Sequence, residues 1–227
     1  SAEPAFSFRR VMARVHQVIA DIAPHDSVAR YTALGVDVVQ GYATVVDPWT
    51  VEIQLNDGGT QRLTARSIVI AAGARPFVPP LPGLEEVGYV TSDTLWHAFA
   101  ALDAPPARLV VLGGGPIGCE LAQSFARLGS TVTQIEMADR LLAREDAEVS
   151  QYARDSLARD GVQVLTGHKA LRCEQDGTGK FIVVEHGGQE QCIGFDELIC
   201  AVGRVARLAG YGLEKLGIPV ERTVVTN

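Results

Sequence analysis

The chain has 227 residues, of which 47% are hydrophobic and 21% charged, a composition that can bury a core and argues against disorder. Its net charge of −7 argues against an electrostatic nucleic-acid footprint. No stretch approaches about 18 uninterrupted apolar residues, so no membrane-spanning helix and no membrane contact are expected.

This length fits one large domain or two small ones. The first residues, SAEPAFSFRR, show neither an initiator Met nor a basic-then-apolar leader and read as a trimmed end. Cys119, Cys173, Cys192 and Cys200 form no CxxC-like pair, which fits a reducing, cytoplasmic setting better than a disulfide framework or a zinc site. The five histidines (His16, His25, His97, His168 and His186) do not cluster in sequence, and no metal site is expected.

In chain order, 6–24 carries apolar residues at helical spacing and ends at Pro24. A shorter helix is expected next, capped by Asp26 and closing at Gly35. Four β-like runs follow: VDVVQ at 36–40, ATVVD at 43–47, TVEIQL at 50–55 and SIVIAA at 67–72, with Asp57-Gly58-Gly59 as a hairpin turn. The segment PFVPPLPG, ending at Gly83, reads as a semi-rigid connector between domains. A helix at 93–101 is expected to be capped by Ser92 or Asp93. Then comes a βαβ pattern: strand 108–112, a glycine turn, helix 116–128 and strand 131–136. A helix over 145–160 should close at Gly161 in a left-handed cap. The short strands VQVL, KALRCE, KFIVVEH, EQCIGF and ELICAVG complete the chain, with a DGTG turn at 176–179.

The chemistry lies in LVVLGGGPIGCELAQSFARLGS, which starts at 109. A lone GxGxxG is weak, but this one follows a strand and opens a helix. Gly113 allows a tight turn, Gly115 lets a pyrophosphate approach the backbone, and Gly118 lets the helix pack against the strand. Gly114 and Ile117 complete the turn. Pro116 suits a first helical position, where its missing N–H costs nothing, and Ala122 keeps the next turn small. The helix N-terminus offers free N–H groups and a positive dipole end to phosphates. Glu136 follows the second strand, 23 residues after Gly113. A carboxylate there accepts from ribose hydroxyls and repels a 2′-phosphate, and the nearest base is Arg140. The pattern therefore favours NAD over NADP. Two residues stay open: Glu120 is a solvated carboxylate or a group beside the nicotinamide, and Cys119, near a helix N-terminus, reads as a packing thiol.

SIVIAAGAR (67–75) and ELICAVGR (197–204) echo one another, each a strand running into a glycine break. If they are equivalent, the leading material is the back part of a first nucleotide-binding domain whose own glycine turn falls ahead of residue 1. Chance similarity of two strands ending in glycine gives the same pattern.

Together, GGGPIGCELAQSFARLGSTVTQIE, IAAGARPFVPPLPGL and LICAVGRVARLAGYGLEKLGI resemble the FAD-dependent pyridine nucleotide-disulfide oxidoreductases, in the branch of the dihydrolipoamide dehydrogenases and mercuric-reductase-like flavoproteins. The resemblance covers nearly the whole chain. It implies an α/β fold, with a Rossmann-like NAD-binding domain (parallel sheet plus antiparallel β-meander) and an incomplete FAD-binding domain of the same type. The expected boundaries are 1–87 for the partial FAD domain, 88–206 for the NAD domain and 207–227 for the return segment. The N-terminal FAD glycine motif, the redox cysteine pair and the C-terminal dimerisation domain are expected to lie outside this sequence. No catalytic residue is then expected within it, apart from a nicotinamide-side Glu120, whose usual lysine partner comes from the flavin part.

On the same resemblance, Gly203 of AVGR closes one side of the NAD site, while Gly41, Tyr42, Ala43, Ala72 and Gly73 lie by the FAD. Ala72 stands where the family usually has threonine, and the proline–asparagine pair usual after Arg204 is replaced by VAR. The implied activity of the parent, a homodimer, is hydride transfer from NADH to FAD and on to a disulfide, lipoamide or metal-ion acceptor, with the fragment alone incomplete. Two other readings stay open: an NAD-sensing or interaction module without redox turnover, and a flavin-free NAD-dependent dehydrogenase. The latter lacks an identifiable acid–base pair.

Overall fold

The computed structural model describes residues 6–225. In chain order the elements are α1 (Phe8–Ile22), α2 (Val28–Ala33), β1 (Gly41–Asp47), β2 (Thr50–Leu55), β3 (Thr60–Thr64), β4 (Ala74–Pro76), α3 (Leu84–Val87), β5 (Val90–Thr91) and α4 (Leu95–Ala98). They continue with β6 (Arg108–Leu112), α5 (Pro116–Arg127), β7 (Thr131–Ile135), α6 (Ala147–Arg159), β8 (Gln163–Leu165) and β9 (Lys169–Asp176). Last come β10 (Gly179–His186), β11 (Gln189–Phe195), β12 (Glu197–Cys200) and β13 (Arg204–Ala206). The chain divides into two compact units, 1–17 with 76–203, and 18–75 with 204–227.

The first unit is built on a five-stranded sheet in the order β5-β12-β6-β7-β8, every pair parallel. After their first residue, its central strands β6 (RLVVL) and β12 (ELIC) read as continuous apolar runs because both faces are covered. Leu109, Val111, Val132 and Ile199 face a helical layer that includes Phe8, Met12, Leu95, Leu121, Ala122, Phe125 and Leu157. Their sequence neighbours Val110, Leu112, Leu198 and Cys200, with Ile135, face the other way, onto Leu84, Cys173, Ile182, Val184 and Phe195. That second layer includes the antiparallel meander β11-β10-β9. Each fully buried aliphatic side chain contributes about 1.5–3 kcal/mol, and an edge-to-face contact of Phe99 with Phe125 (centroids 5.6 Å apart) adds to the helical side.

Local signals place the elements. Gly161, at φ 86°, sits just past α6, and the N–H groups of Gly161 and Val162 return to the carbonyls of Ala158 and Leu157 at 3.0 Å each. The helix expected over 93–101 is only one turn, Leu95–Ala98, continued by a 3₁₀ turn. Its first flanking residue is Thr94, not Ser92 or Asp93; the Thr94 hydroxyl accepts from the Thr91 N–H at 2.9 Å and closes the preceding turn. The proline-rich segment, expected as a connector, is stitched to β9. The Cys173 N–H donates to the Pro82 carbonyl at 2.7 Å, and a Cβ on Gly83 would fall 1.9 Å from the Cys173 carbonyl oxygen.

The second unit holds the antiparallel sheet β1-β2-β3, with Gly58 and Gly59 at positive φ in the expected hairpin turn, and the two-stranded pair β13-β4. Ser27, not Asp26, caps α2, its hydroxyl accepting from the Arg30 N–H at 3.2 Å. Two expected strands are corrected. Neither 36–40 nor 67–72 joins a ladder among the described residues, and Val69 is 88% exposed. β-propensity favours a half-buried pleated surface, and the apolar run at 67–72 has no pairing neighbour among the described residues. Its echo in sequence, 197–200, has such neighbours and forms β12.

Candidate functional site

At the carboxyl ends of β6 and β7 the chain makes its glycine turn, and packing explains three of the four glycines. A Cβ on Gly113, at φ 118°, would lie 2.3 Å from the Ala201 carbonyl oxygen at the end of β12. One on Gly114 would lie 2.8 Å from each of the Glu136 Cγ, Glu136 Oε2 and Leu141 Cδ2 atoms. One on Gly118 would lie 2.2 Å from the Gly113 carbonyl oxygen, so α5 rests directly on the turn. Gly115 differs. It is the N-cap of α5 and faces open space, with no atom within 4 Å of a Cβ there. Pro116 then opens the helix with φ already suited to it. The N–H groups of Ile117 and Gly118 fall in a first turn that leaves amides without intrahelical partners and with a positive dipole end.

Glu136 sits immediately after β7, half-buried. Its Oε2 accepts from the Gly114 N–H at 2.6 Å and its Oε1 from the Ala138 N–H at 2.7 Å. A carboxylate has about four lone-pair sites, so acceptor capacity remains after both contacts. Arg140 donates to the carbonyls of Ala143 and Glu145, at 3.1 Å each. The side chain next to the acid in sequence, Met137, is 69% exposed.

Glu120 lies on the exposed face of α5. Cys119 is half-buried, with its sulfur 3.6 Å from the Gly114 carbonyl oxygen. Burial raises its thiol pKa, a Gln134 hydrogen bond opposes the shift, and the charges of Glu136 and Glu120 add to it. The thiol is therefore held neutral and acts as packing. Ala122 is fully buried against the sheet. Gly203, at φ 135°, is exposed, and its carbonyl accepts from the Phe77 N–H at 2.9 Å.

The remaining candidates belong to the second unit. Gly41, Tyr42 and Ala43 begin β1 and are exposed. The Tyr42 hydroxyl donates to the Gly210 carbonyl at 2.7 Å. At Gly41 a Cβ would meet the Gln54 carbonyl oxygen at 2.3 Å, so the neighbouring strand alone accounts for the glycine. Ala72 and Gly73 are exposed, and the Gly73 carbonyl accepts from the Arg207 N–H at 3.0 Å.

Several supports of the turn escape sequence reasoning. Gln134 is fully buried below the turn; the only signal for it is a polar residue in an otherwise inward-facing strand. Leu142 takes φ 48°, the one non-glycine residue at positive φ among those described, and its N–H donates to the Gly114 carbonyl at 2.8 Å. Nothing in the sequence marks that conformation. The buried Ser150 hydroxyl donates to the Leu141 carbonyl at 2.6 Å and ties the same loop to α6.

A family model described as "Pyridine nucleotide-disulphide oxidoreductase" matches residues 8–227. The chain is 35% identical to a mercuric reductase of Staphylococcus aureus over 195 residues, covering 85% of this chain and 34% of that protein. It is 38% identical over 192 residues to a dihydrolipoamide dehydrogenase of Chaetomium thermophilum, covering 82% of this chain and 37% of that one. In three dimensions it is similar to the HOCl-induced flavoprotein disulfide reductase RclA of Escherichia coli. There the TM-score is 0.80 and the identity 26%, over 98% of this chain and 49% of the other. The chain thus spans between a third and a half of the length of these proteins.

Proposed function

The chain belongs to the pyridine nucleotide-disulphide oxidoreductase family, and from that premise we propose that it is the NAD(H)-binding portion of a flavin-dependent disulfide-type oxidoreductase. The unit on the parallel sheet takes the nicotinamide dinucleotide; the other unit contributes part of the FAD site. When bound, the two cofactors supply the hydride transfer, from NADH to flavin and on to a disulfide, lipoamide or metal-ion acceptor.

The observation that carries this reading is the pairing of the open backbone at Gly115 with the Glu136 carboxylate at the next strand end. The residues fit the group. The diphosphate meets first-turn amides of α5 without a side chain in its way, and the adenosine ribose donates its hydroxyls to Glu136. A 2′-phosphate would meet that carboxylate at close range, while Arg140 is occupied by loop carbonyls; this supports NAD over NADP. Gly203 borders the same unit's strand ends, and Glu120 projects from the exposed face of the helix, on the nicotinamide side in this reading. For the flavin part, support comes from the apolar, unladdered 67–72 segment, which suits a strand awaiting neighbours, and from the exposed Gly41-Tyr42-Ala43 and Ala72-Gly73 segments. Four free cysteines fit a reducing, cytoplasmic setting, and the family resemblance a homodimeric parent.

Titration of the chain with NADH and NADPH, followed by nicotinamide fluorescence, tests the reading. NADH is expected to bind more tightly. Tighter NADPH binding would misplace Glu136, and binding of neither would overturn the reading.

A further inference from the structure

Gln134 lies inside the parallel sheet with none of its surface exposed. Its Nε2 donates to the Gly113 carbonyl at 3.0 Å and stands 3.6 Å from the Cys119 sulfur. Its Oε1 is buried with no partner among the described residues. A leucine or valine at this register would bury without that cost, so the amide is here for what its N–H does.

We propose that Gln134 is a positioning residue that aims the glycine turn at the dinucleotide diphosphate; this rests on the NAD(H) reading above. In a planar trans peptide the carbonyl and the following N–H point in opposite directions. Drawing the Gly113 carbonyl inward onto Gln134 therefore turns the Gly114 N–H the other way, onto Glu136 at 2.6 Å. The next peptide repeats the device. The Leu142 N–H holds the Gly114 carbonyl at 2.8 Å, which turns the Gly115 N–H away from Leu142. Two successive peptide planes are thus set from beneath, one by a buried side chain and one by a backbone N–H in a left-handed conformation. The contact of Gly118 against the same Gly113 carbonyl leaves that oxygen no room to swing toward the helix. Without Gln134 the carbonyl would be buried unpaired and would rotate toward another donor, taking the Gly114 N–H off Glu136.

The test compares two probes on the full chain: NADH, which spans the turn, and adenosine, which reaches the ribose acid but carries no phosphate. Gln134→Met keeps the side-chain length and removes the donor. It is expected to raise the Kd for NADH by about tenfold, roughly one hydrogen bond's worth, while the Kd for adenosine, read by ligand-observed NMR, rises clearly less because the Ala138 N–H still holds Glu136 at 2.7 Å. Gln134→Asn, too short to reach the carbonyl, should give the same split and serves if the Met variant does not fold. Ser130→Ala removes the other buried oxygen lacking a partner and should leave both affinities alone. Unchanged NADH affinity in the Gln134 variants, or an equal loss for both probes, overturns the positioning role while the NAD(H) reading stands. Failure of the wild-type chain to bind NADH overturns the reading itself, and the positioning role with it.

Discussion

The Gly114 N–H and the Glu136 carboxylate are bonded to one another at 2.6 Å, so the acid proposed to take the adenosine ribose also closes the turn proposed to take the phosphates. One side chain thus couples both halves of the cradle. Glu136→Ala should weaken NADH binding by about 1–3 kcal/mol through loss of charge-assisted acceptors, and should also lower thermal stability because the Gly114 and Ala138 N–H groups lose a partner. Paired calorimetric titration and thermal melts read both effects. A variant that binds NADH as the wild type does would remove Glu136 from the site.

The glycines of the turn should separate by experiment. Gly118→Ala drives a Cβ against a backbone oxygen at 2.2 Å, a clash no flexible side chain can relieve, and should destabilise by about 1–3 kcal/mol. Gly115→Ala meets open space, so its melting temperature should stay close to wild type while its NADH affinity falls. Equal loss of stability in the two variants would contradict the division of roles.

Cofactor choice should be movable at Met137, the exposed neighbour of the acid. Glu136→Ala combined with Met137→Arg removes the repulsion and supplies a cation for a 2′-phosphate. The ratio of NADPH to NADH affinity should rise by at least about tenfold, the equivalent of one favourable charge-assisted contact. A ratio that does not move would mean the 2′ position lies elsewhere.

The cysteines differ in reach. Cys192 is exposed, whereas burial raises the thiol pKa of Cys119 and Cys200 and, with the charge of Cys200 adding to burial, pushes Cys173 up to about 11. A disulfide reagent at neutral pH should label one thiol rapidly and three slowly, and Cys192→Ser should abolish the rapid phase. The sign of the linkage follows: a thiol kept protonated in the folded state favours folding less once the unfolded chain can ionise. Stability should therefore hold below pH 9 and decline from there toward pH 11 for Cys173. Cys173→Val should flatten that alkaline decline.

Much of the first unit was legible in the sequence because its strands pair with one another. The runs at 108–112 and 197–200 are apolar on both faces, and the structure supplies a layer for each. Segments 36–40 and 67–72 join no ladder among the described residues, and composition does not say whether a partner strand lies alongside. Within the candidate site, Gly113 and Gly118 were readable because each answers a local backbone demand. The Gln134 contact with the Gly113 carbonyl and the positive φ of Leu142 were not, since the first joins a side chain inside β7 to the end of the neighbouring strand and the second arises in a loop that returns to the turn.

The bare stretch at 67–72 has a practical outcome for anyone handling the chain. SIVIAA is rich in β-branched residues, carries no charge and no proline, and joins no ladder among the described residues; such a stretch templates cross-β stacking. Concentrated samples should self-associate through it, and a gatekeeper lysine in place of Val69 should keep them dispersed.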